Sequence, residues 1–238
     1  MGTVRTVAET GSTNADLIAA LAEGARLPEG EWLVADRQSA GRGRQGRQWC
    51  DGRGNFMGST VVHLAPGDPP PASFAFAAGL AVHAAVAALL PDTAPLRLKW
   101  PNDLTYDGAK LAGILIERAG DALVVGIGVN LVAAPAIAGR ETIAIAALTA
   151  VPDRDAFSRA LADEVNRERE RWRDYGLEPL LRRWQGAAHA RGTLLTVTPP
   201  GEGAISGLFA GLADDGGLQL RLADGASRVI RAGDVFFA

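Results

Sequence analysis

A polar segment rich in glycine and arginine, residues 36–53, separates two apolar stretches of the chain. Its five arginines, set against Asp36 and Asp51, give a local charge of +3 in a chain whose formal net charge is −3. Glycine allows the backbone to approach a ligand closely, and guanidinium groups form paired hydrogen bonds with phosphate or carboxylate oxygens. The segment therefore predicts a site for an anion, with phosphate as the leading candidate.

Two further groups of residues suggest chemistry. Residues 99–103 place Lys99, Asn102 and Asp103 at the end of a predicted strand, and Lys110 begins the next strand. An Asx turn after the proline and a lysine at a hairpin end explain these residues without a ligand, so both interpretations stay open. The glycines of residues 126–130 indicate either a packing constraint or close approach of a ligand.

The composition excludes several classes of protein. The chain has 238 residues, of which 47% are hydrophobic and 21% charged, so it can bury a sizeable core. A net charge of −3 argues against binding nucleic acid or an anionic membrane with the whole surface. The single cysteine excludes an internal disulfide, and no signal peptide or membrane-spanning run is found. We expect a cytoplasmic protein.

Hydrophobic patterning predicts a mixed α and β chain. Ser12, Thr13 and Asn14 are suited to begin a helix, and a long charged helix is expected after Asp153, with residues 167–173 as its solvated face. The other predicted helices cover residues 73–90 and 178–188. The predicted strands cover residues 4–7, 32–35, 56–64, 96–100, 104–106, 111–117, 122–129, 194–197, 204–212, 218–222 and 228–230. The four strands between residues 96 and 129 form an antiparallel meander.

Taken together, these segments resemble the biotin protein ligase family, biotin–[acetyl-CoA-carboxylase] ligase. The resemblance rests on residues 12–14, 41–47 with Trp49, 99–103, 110–117 and 126–130, which occur in that family's order and at similar separations. It covers essentially the whole chain. It implies an α+β fold in which residues 1–190 form the synthetase-like catalytic domain, a mixed sheet backed by helices. Residues 191–238 then form a small SH3-like β-barrel.

The resemblance also implies an activity. Members of the family join biotin and ATP into biotinyl-5′-AMP and then transfer the biotinyl group to one lysine of an acceptor. The expected substrates are ATP and biotin, the expected metal is Mg²⁺, and the expected partner is the biotin carboxyl carrier domain of acetyl-CoA carboxylase or a related biotin enzyme. Because the first motif begins at Ser12, we expect no N-terminal DNA-binding domain. The sequence allows a homodimer but does not specify the oligomeric state.

By the same resemblance, Lys110, Arg44 and Asp103 are the expected catalytic residues. Lys110 would stabilise charge on the biotin carboxylate and the α-phosphate, and Arg44 belongs to a loop that closes over the adenylate. Asp103 would either hold Mg²⁺ or help to deprotonate the acceptor lysine. The residues expected to bind biotin or ATP are Ser12, Thr13, Asn14, Gln38, Gly41, Arg42, Gly43, Arg44, Arg47, Trp49, Asn102, Lys110, Gly113, Gly128 and Asn130.

Particular contacts are also implied for some of these residues. Fixed donors and acceptors around the ureido ring or chain of biotin would come from Ser12, Thr13, Gln38 and Gly113. Trp49 would stack on the adenine, and Asn102 and Asn130 would lie near the nucleotide.

Two alternatives remain. A lipoate–protein ligase or octanoyltransferase shares the core fold, but its arginine segment is followed by Ser-Gly-Gly-Gly, whereas residues 41–49 here read Gly-Arg-Gly-Arg-Gln-Gly-Arg-Gln-Trp. A nucleic-acid-binding protein could use the same basic loop, and it would show salt-sensitive binding without consumption of ATP.

Overall fold

The larger part of the molecule is built on a seven-stranded mixed sheet. The computed structural model describes residues 3–50 and 52–237, and Asp51, counted above in the local charge, lies outside them. The strands are β1 (Val4–Val7), β2 (Trp32–Ala35), β3 (Phe56–His63), β4 (Leu96–Lys99), β5 (Asp103–Tyr106), β6 (Ala109–Ala119) and β7 (Ala122–Val129).

The strand order in this sheet is β1-β2-β3-β7-β6-β5-β4. Strands β1 and β2 are parallel, and every other neighbouring pair is antiparallel. The predicted meander from β4 to β7 is confirmed, and the polar residues of two motifs lie at its strand ends.

Four helices cover the sheet: α1 (Thr13–Ala22), α2 (Phe74–Ala87), α3 (Arg154–Tyr175) and α4 (Leu177–Ala187). Ser12 caps α1 as predicted, and Asp153 caps α3. Helix α2 is shorter than predicted, because residues 88–90 form tight turns with bonds to residues three or four positions earlier. Among the described residues, no helix is both long and apolar enough to cross a membrane.

The two faces of the sheet are covered differently. Helices α2, α3 and α4 share one large core with Val125, Ile127 and Val129 of β7, whereas α1 packs in a smaller cluster on the opposite face. Because side chains alternate along a strand, Gly126 and Gly128 lie on the face of α1. On that face the missing side chains leave room for Asn14, at the N-terminus of α1, and for Trp49.

The sequence analysis predicted that the charged run of residues 167–173 is a solvated face of its helix. In the structure, part of this run is buried. Glu168 is buried and accepts hydrogen bonds from Arg171 of its own helix and from Arg183 of α4. Arg173 pairs with Glu29 in the loop before β2. A local charge pattern cannot reveal partners that come from other elements, and these ion pairs join α3 to its neighbours.

The C-terminal part forms a second, five-stranded antiparallel sheet. Its strands are β8 (Leu194–Thr198), β9 (Ile205–Leu212), β10 (Leu218–Arg221), β11 (Ser227–Ile230) and β12 (Asp234–Phe237), in the order β11-β10-β9-β8-β12. The order is open, so backbone pairing between the described strands does not close the SH3-like unit into a barrel. The sequence analysis did not predict β12, which is an edge strand paired with β8.

Strand β12 also contacts the larger sheet. The rings of His189 and Phe237 lie 4.4 Å apart, and the Lys99 ammonium lies 5.3 Å from the Phe237 centroid. Burial, aided by the positive charges of Lys99 and Arg97, lowers the pKa of His189 to about 4. His189 is therefore neutral near pH 7 at the junction of the two sheets.

This lowered pKa predicts how stability depends on pH. The usual histidine pKa is 6.5 and that of folded His189 is about 4, so the unfolded chain binds the proton first as the pH falls. Stability contributed by neutral His189 is present above about pH 6.5 and is lost as the pH falls to about 4. In His189→Gln the free energy of unfolding, measured with urea at several pH values, should decline less over this interval. Equal declines in both proteins would contradict this account.

Candidate active site

A cavity of about 390 Å³ lies on the α1 face of the larger sheet. Its walls come from the N-terminus of α1, the arginine loop (residues 41–49), the ends of β4, β6 and β7, and strand β12. Gly41 is the one predicted site residue that does not line it. The cavity brings together Ser12, Thr13, Asn14, Gln38, Arg42, Gly43, Arg44, Arg47, Trp49, Asn102, Asp103, Lys110, Gly113, Gly128 and Asn130.

An ion pair between two predicted catalytic residues lies in this cavity. Lys110 Nζ donates to Asp103 Oδ1 at 2.7 Å, and the two side chains are only 18% and 10% exposed. Reduced contact with water strengthens such a pair. A Cβ atom on Gly113 would lie 3.1 Å from Lys110 Nζ, so the glycine leaves room for the lysine. The pair places one cation and one carboxylate side by side in the cavity wall.

The arginine loop is folded on itself. The Gly43 N–H donates to the Arg47 carbonyl at 2.7 Å, and the Trp49 N–H donates to the Gly41 carbonyl at 2.9 Å. Gln45 and Gly46 turn the chain with positive φ angles of 56° and 73°. The sequence analysis expected backbone N–H groups at the glycines to face a ligand. For Gly43 this is wrong, because its N–H is bonded within the loop; the guanidinium groups are left to bind anions.

Arg44 is anchored to the sheet through an amide. Its Nη1 donates to Asn102 Oδ1 at 3.1 Å, and Asn102 Nδ2 donates to the Ile114 carbonyl of β6 at 2.5 Å. Burial lowers the pKa of Arg44, while Asp234 and Asp103 act in the opposite direction. Asn102 therefore holds Arg44 at the cavity. Its place near the nucleotide stays a prediction.

A carboxylate of the C-terminal sheet holds two more arginines. Asp234 Oδ1 accepts from Arg47 Nη2 at 2.5 Å and lies 3.6 Å from Arg140 Nη2. Burial raises the pKa of Asp234, but the hydrogen bond from Arg47 and the charges of Arg47, Arg140 and Arg44 outweigh it, so the net shift is downward. Asp234 thus stays ionised and tethers the arginine loop to β12.

The sequence analysis missed Arg140 and Asp234. Asp234 follows the last predicted strand, and Arg140 lies in residues 131–152, to which no role was given. One local signal could have found them. Each is a charged residue that directly follows a glycine, in the pairs Gly139-Arg140 and Gly233-Asp234.

Part of the cavity wall is a polar floor, formed by Thr13, Asn14, Gln38 and Ser59. Gln38 Oε1 accepts from the Thr13 N–H at 2.8 Å, and the hydroxyls of Thr13 and Ser59 lie 2.6 Å apart. Ser59 Oγ donates to Asn14 Oδ1 at 2.6 Å. All four residues are buried, so these hydrogen bonds fix where donors and acceptors lie.

Trp49 lies over the glycines of β6 and β7. A Cβ atom on Gly128 would come within 2.3 Å of its indole, and Lys110 Nζ is 5.7 Å from the ring centroid. The close approach that the glycines of residues 126–130 indicated is thus an approach of Trp49 to Gly128 and of Asn14 to Gly126. Stacking of Trp49 on adenine stays a prediction.

Several polar groups of the cavity residues lack a hydrogen-bond partner among the described residues, and Trp49 Nε1 is one of them. Asn130 Nδ2 donates to the Ile143 carbonyl at 3.1 Å, while its buried Oδ1 has no hydrogen-bond partner among the described residues. Burial lowers the pKa of Lys99, partly offset by the negative charge of Asp103. An unpaired buried acceptor indicates a position where a ligand donor would be favourable.

A metal has few protein ligands available here. Among the described residues, no group of three or more His, Cys, Asp or Glu side chains could hold a metal ion. Asp103 is the predicted ligand, and its Oδ1 already accepts from Lys110. Mg²⁺ often binds through one or two carboxylates together with substrate phosphates and water. The donor set therefore fits a Mg²⁺ ion that is bound mainly by phosphates.

Comparison with known proteins assigns the fold and the family. The family model described as "Biotin/lipoate A/B protein ligase family" matches residues 12–131, and that of the "Biotin protein ligase C terminal domain" matches residues 196–238. The chain belongs to the biotin/lipoate A/B protein ligase family. The resemblance found in the sequence is thus confirmed.

Individual relatives agree with this family. The biotin–[acetyl-CoA-carboxylase] ligase of Paracoccus denitrificans is 36% identical over 97% of this chain and 99% of its own length. The enzyme of the same name from Mycobacterium tuberculosis is 37% identical over 96% of this chain and 86% of its own. The biotin protein ligase from Aquifex aeolicus in complex with biotin and ATP superposes with a TM-score of 0.87 at 24% identity, covering 100% of both chains. This last similarity confirms the predicted α+β fold.

The tether between Asp234 and the arginine loop is testable by proteolysis. Trypsin cleaves after arginine, so a loosened loop should be cut faster at Arg42, Arg44 and Arg47. In Asp234→Asn we expect faster cleavage in this loop, because the charge that holds Arg47 and Arg140 is lost. Asp214→Asn, which changes an exposed aspartate in the turn between β9 and β10, is the matched control. Cleavage at the wild-type rate in Asp234→Asn would show that the ion pair does not restrain the loop.

Proposed function

We propose that this protein is an ATP-dependent biotin protein ligase that makes biotinyl-5′-AMP and transfers the biotinyl group to the lysine of a biotin carboxyl carrier domain. The observation that carries the proposal is the layout of the cavity. The cavity wall combines a buried polar floor, the guanidinium groups of the arginine loop and Arg140, and the Lys110–Asp103 pair. This layout suits a ligand with a polar head at one end and a carboxylate that meets a phosphate at Lys110.

In the first step, a carboxylate oxygen of biotin attacks the α-phosphorus of ATP. The bond from the α-phosphorus to the bridging oxygen breaks, and pyrophosphate leaves with the electron pair. Two anions must approach each other, so positioned cations lower the barrier by electrostatic stabilisation. Lys110 serves the reacting carboxylate and α-phosphate, and Arg44, Arg47 and Arg140 serve the departing phosphates.

In the second step, the acceptor amine attacks the biotinyl carbonyl and AMP leaves. A lysine amine has an ordinary pKa of about 10.4, so it must lose a proton before it attacks. Asp103 either accepts that proton or holds Mg²⁺, and both roles would use Oδ2, since Oδ1 accepts from Lys110. Mg²⁺, when bound, would neutralise charge on the phosphates.

The remaining features of the proposal follow from the predicted organisation. We assign catalysis to residues 1–190 and an auxiliary role to residues 191–238, whose Asp234 contributes to the cavity wall. We place the reaction in the cytoplasm, where ATP and apo carrier domains are found together. Homodimer formation stays a prediction, which light scattering of the purified protein would measure.

The decisive experiment is the intact mass of an isolated biotin carboxyl carrier domain after incubation with the protein, Mg-ATP and biotin. Lipoate replaces biotin in a parallel tube. We expect the mass of one biotinyl group to be added only when ATP and biotin are both present. A mass increase in the lipoate tube only would move the assignment to the lipoate ligases, which belong to the same family. No gain in either tube, with a folded protein, would overturn the ligase proposal.

Lys110→Ala tests the proposed centre of the reaction. Loss of one charge-stabilising contact typically costs about 10²–10³-fold in rate, so formation of biotinyl-5′-AMP should fall by this factor. Lys110→Arg keeps the charge but replaces a compact ammonium by a planar fork, so it should restore only part of the rate. Pyrophosphate release is the readout, and an unchanged melting temperature controls for folding. Near-normal turnover in Lys110→Ala would remove Lys110 from the mechanism.

Arg44→Gly tests containment of the adenylate. Arg44 joins the arginine loop to Asn102, so its loss should loosen the loop and release biotinyl-5′-AMP into solution. Biotinylation of a lysine-rich bystander protein, detected with streptavidin, should then rise above the wild-type level. Arg53→Gly is the matched control, because Arg53 is exposed and absent from the described cavity wall. Equal bystander labelling by all three proteins would contradict the proposed seal.

A further inference from the structure

Glu117 occupies an unexplained position beside the polar floor. It lies on β6, on the same face of the sheet as Gly113, but it is not among the described residues that line the cavity. Its Oε2 accepts from Asn14 Nδ2 at 2.8 Å, and its Oε1 lies 3.9 Å from Arg42 Nη1 in the arginine loop. No role in the reaction described above needs this carboxylate.

The contact with Asn14 determines how that amide is oriented. An ionised carboxylate can only accept hydrogen bonds, so the neighbour of Glu117 must be the amide nitrogen of Asn14. Asn14 Oδ1 then faces Ser59 and accepts its hydroxyl proton at 2.6 Å. Asn14 is 3% exposed, so water cannot easily replace either partner.

The same constraint passes to the next two residues. A hydroxyl has one proton, and that of Ser59 is used on Asn14, so Thr13 must donate in the 2.6 Å contact between the two hydroxyls. Gln38 Oε1 accepts from the Thr13 N–H at 2.8 Å and also lies 3.1 Å from Thr13 Oγ1, which is in position to donate to it. The constraint from Glu117 therefore decides whether the Thr13 hydroxyl proton points to Ser59 or to Gln38. The Gln38 amide nitrogen has no partner among the described residues and lies in the cavity wall. It is left as a donor, and Thr13 Oγ1 is left as an acceptor.

We propose that Glu117 is a positioning residue for substrate specificity, which sets the hydrogen-bond direction of the polar floor through Asn14, Ser59 and Thr13. The inference rests on the proposed function, and its ligand is the cyclic urea of biotin. A urea carbonyl accepts hydrogen bonds and its N–H groups donate them, so it matches a floor with Gln38 as donor and Thr13 as acceptor. A ring that reverses one of these groups would be rejected, because buried polar groups would be left unpaired.

Glu117→Gln tests this with little change in shape. A glutamine amide can present either its oxygen or its nitrogen to Asn14, so the orientation is no longer imposed. We expect the KM for biotin to rise about tenfold, as when a charge-assisted hydrogen bond is replaced by a neutral one. The KM for ATP should be unchanged. Glu178→Gln, which loses an exposed ion pair with Arg182, is the matched control.

A second readout separates positioning from mere support of the fold. An analogue of biotin whose ureido oxygen is replaced by an imino nitrogen offers a donor where biotin offers an acceptor. In calorimetry the wild type should bind biotin far more tightly than it binds this analogue. Glu117→Gln should reduce the ratio of the two dissociation constants. An unchanged ratio, or a uniform loss of activity together with a lower melting temperature, would overturn the inference alone. Failure of the wild type to bind biotin would overturn the proposed function as well.

Discussion

The constraint on which this structure depends is the repulsion among cations gathered in one cavity. Arg42, Arg44, Arg47, Lys99, Lys110 and Arg140 all line it. Positive charges at such short range destabilise one another, and burial adds a desolvation cost. Carboxylates offset this repulsion, because they neutralise the cations where they lie. Asp103 holds Lys110, Asp234 holds Arg47 and Arg140, and Glu117 lies near Arg42.

These carboxylates come from different parts of the fold, so the site depends on the whole molecule. Asp103 begins β5, Glu117 lies on β6, and Asp234 belongs to the edge strand of the second sheet. An anionic substrate competes with each carboxylate for its cation. Binding therefore exchanges internal ion pairs for contacts with substrate, and the net gain is smaller than the number of arginines suggests.

Local sequence was sufficient for the four helices, for every strand but β12 and for the motif residues of the cavity wall, because periodicity and glycine spacing are short-range signals. Lys110 and Asp103 are seven positions apart, and their pairing follows from a hairpin that the sequence predicts. Asp234 and Arg47 are 187 positions apart, so their contact depends on how β12 packs beside the cavity. Burial of Glu168 depends in the same way on Arg183 of another helix. Charge partners across elements follow from tertiary packing, which a single sequence does not display.

The distribution of lysine has a chemical consequence. The chain contains only two lysines, Lys99 and Lys110, whereas its other basic side chains are 22 arginines and three histidines. Both lysines line the cavity, so no lysine side chain is found on the rest of the surface. A guanidinium group stays protonated and is a poor nucleophile toward acyl phosphates. Activated acyl groups that escape into solution would therefore meet no lysine side chain outside the cavity, and any chemical label found on a lysine of this protein would report on the cavity.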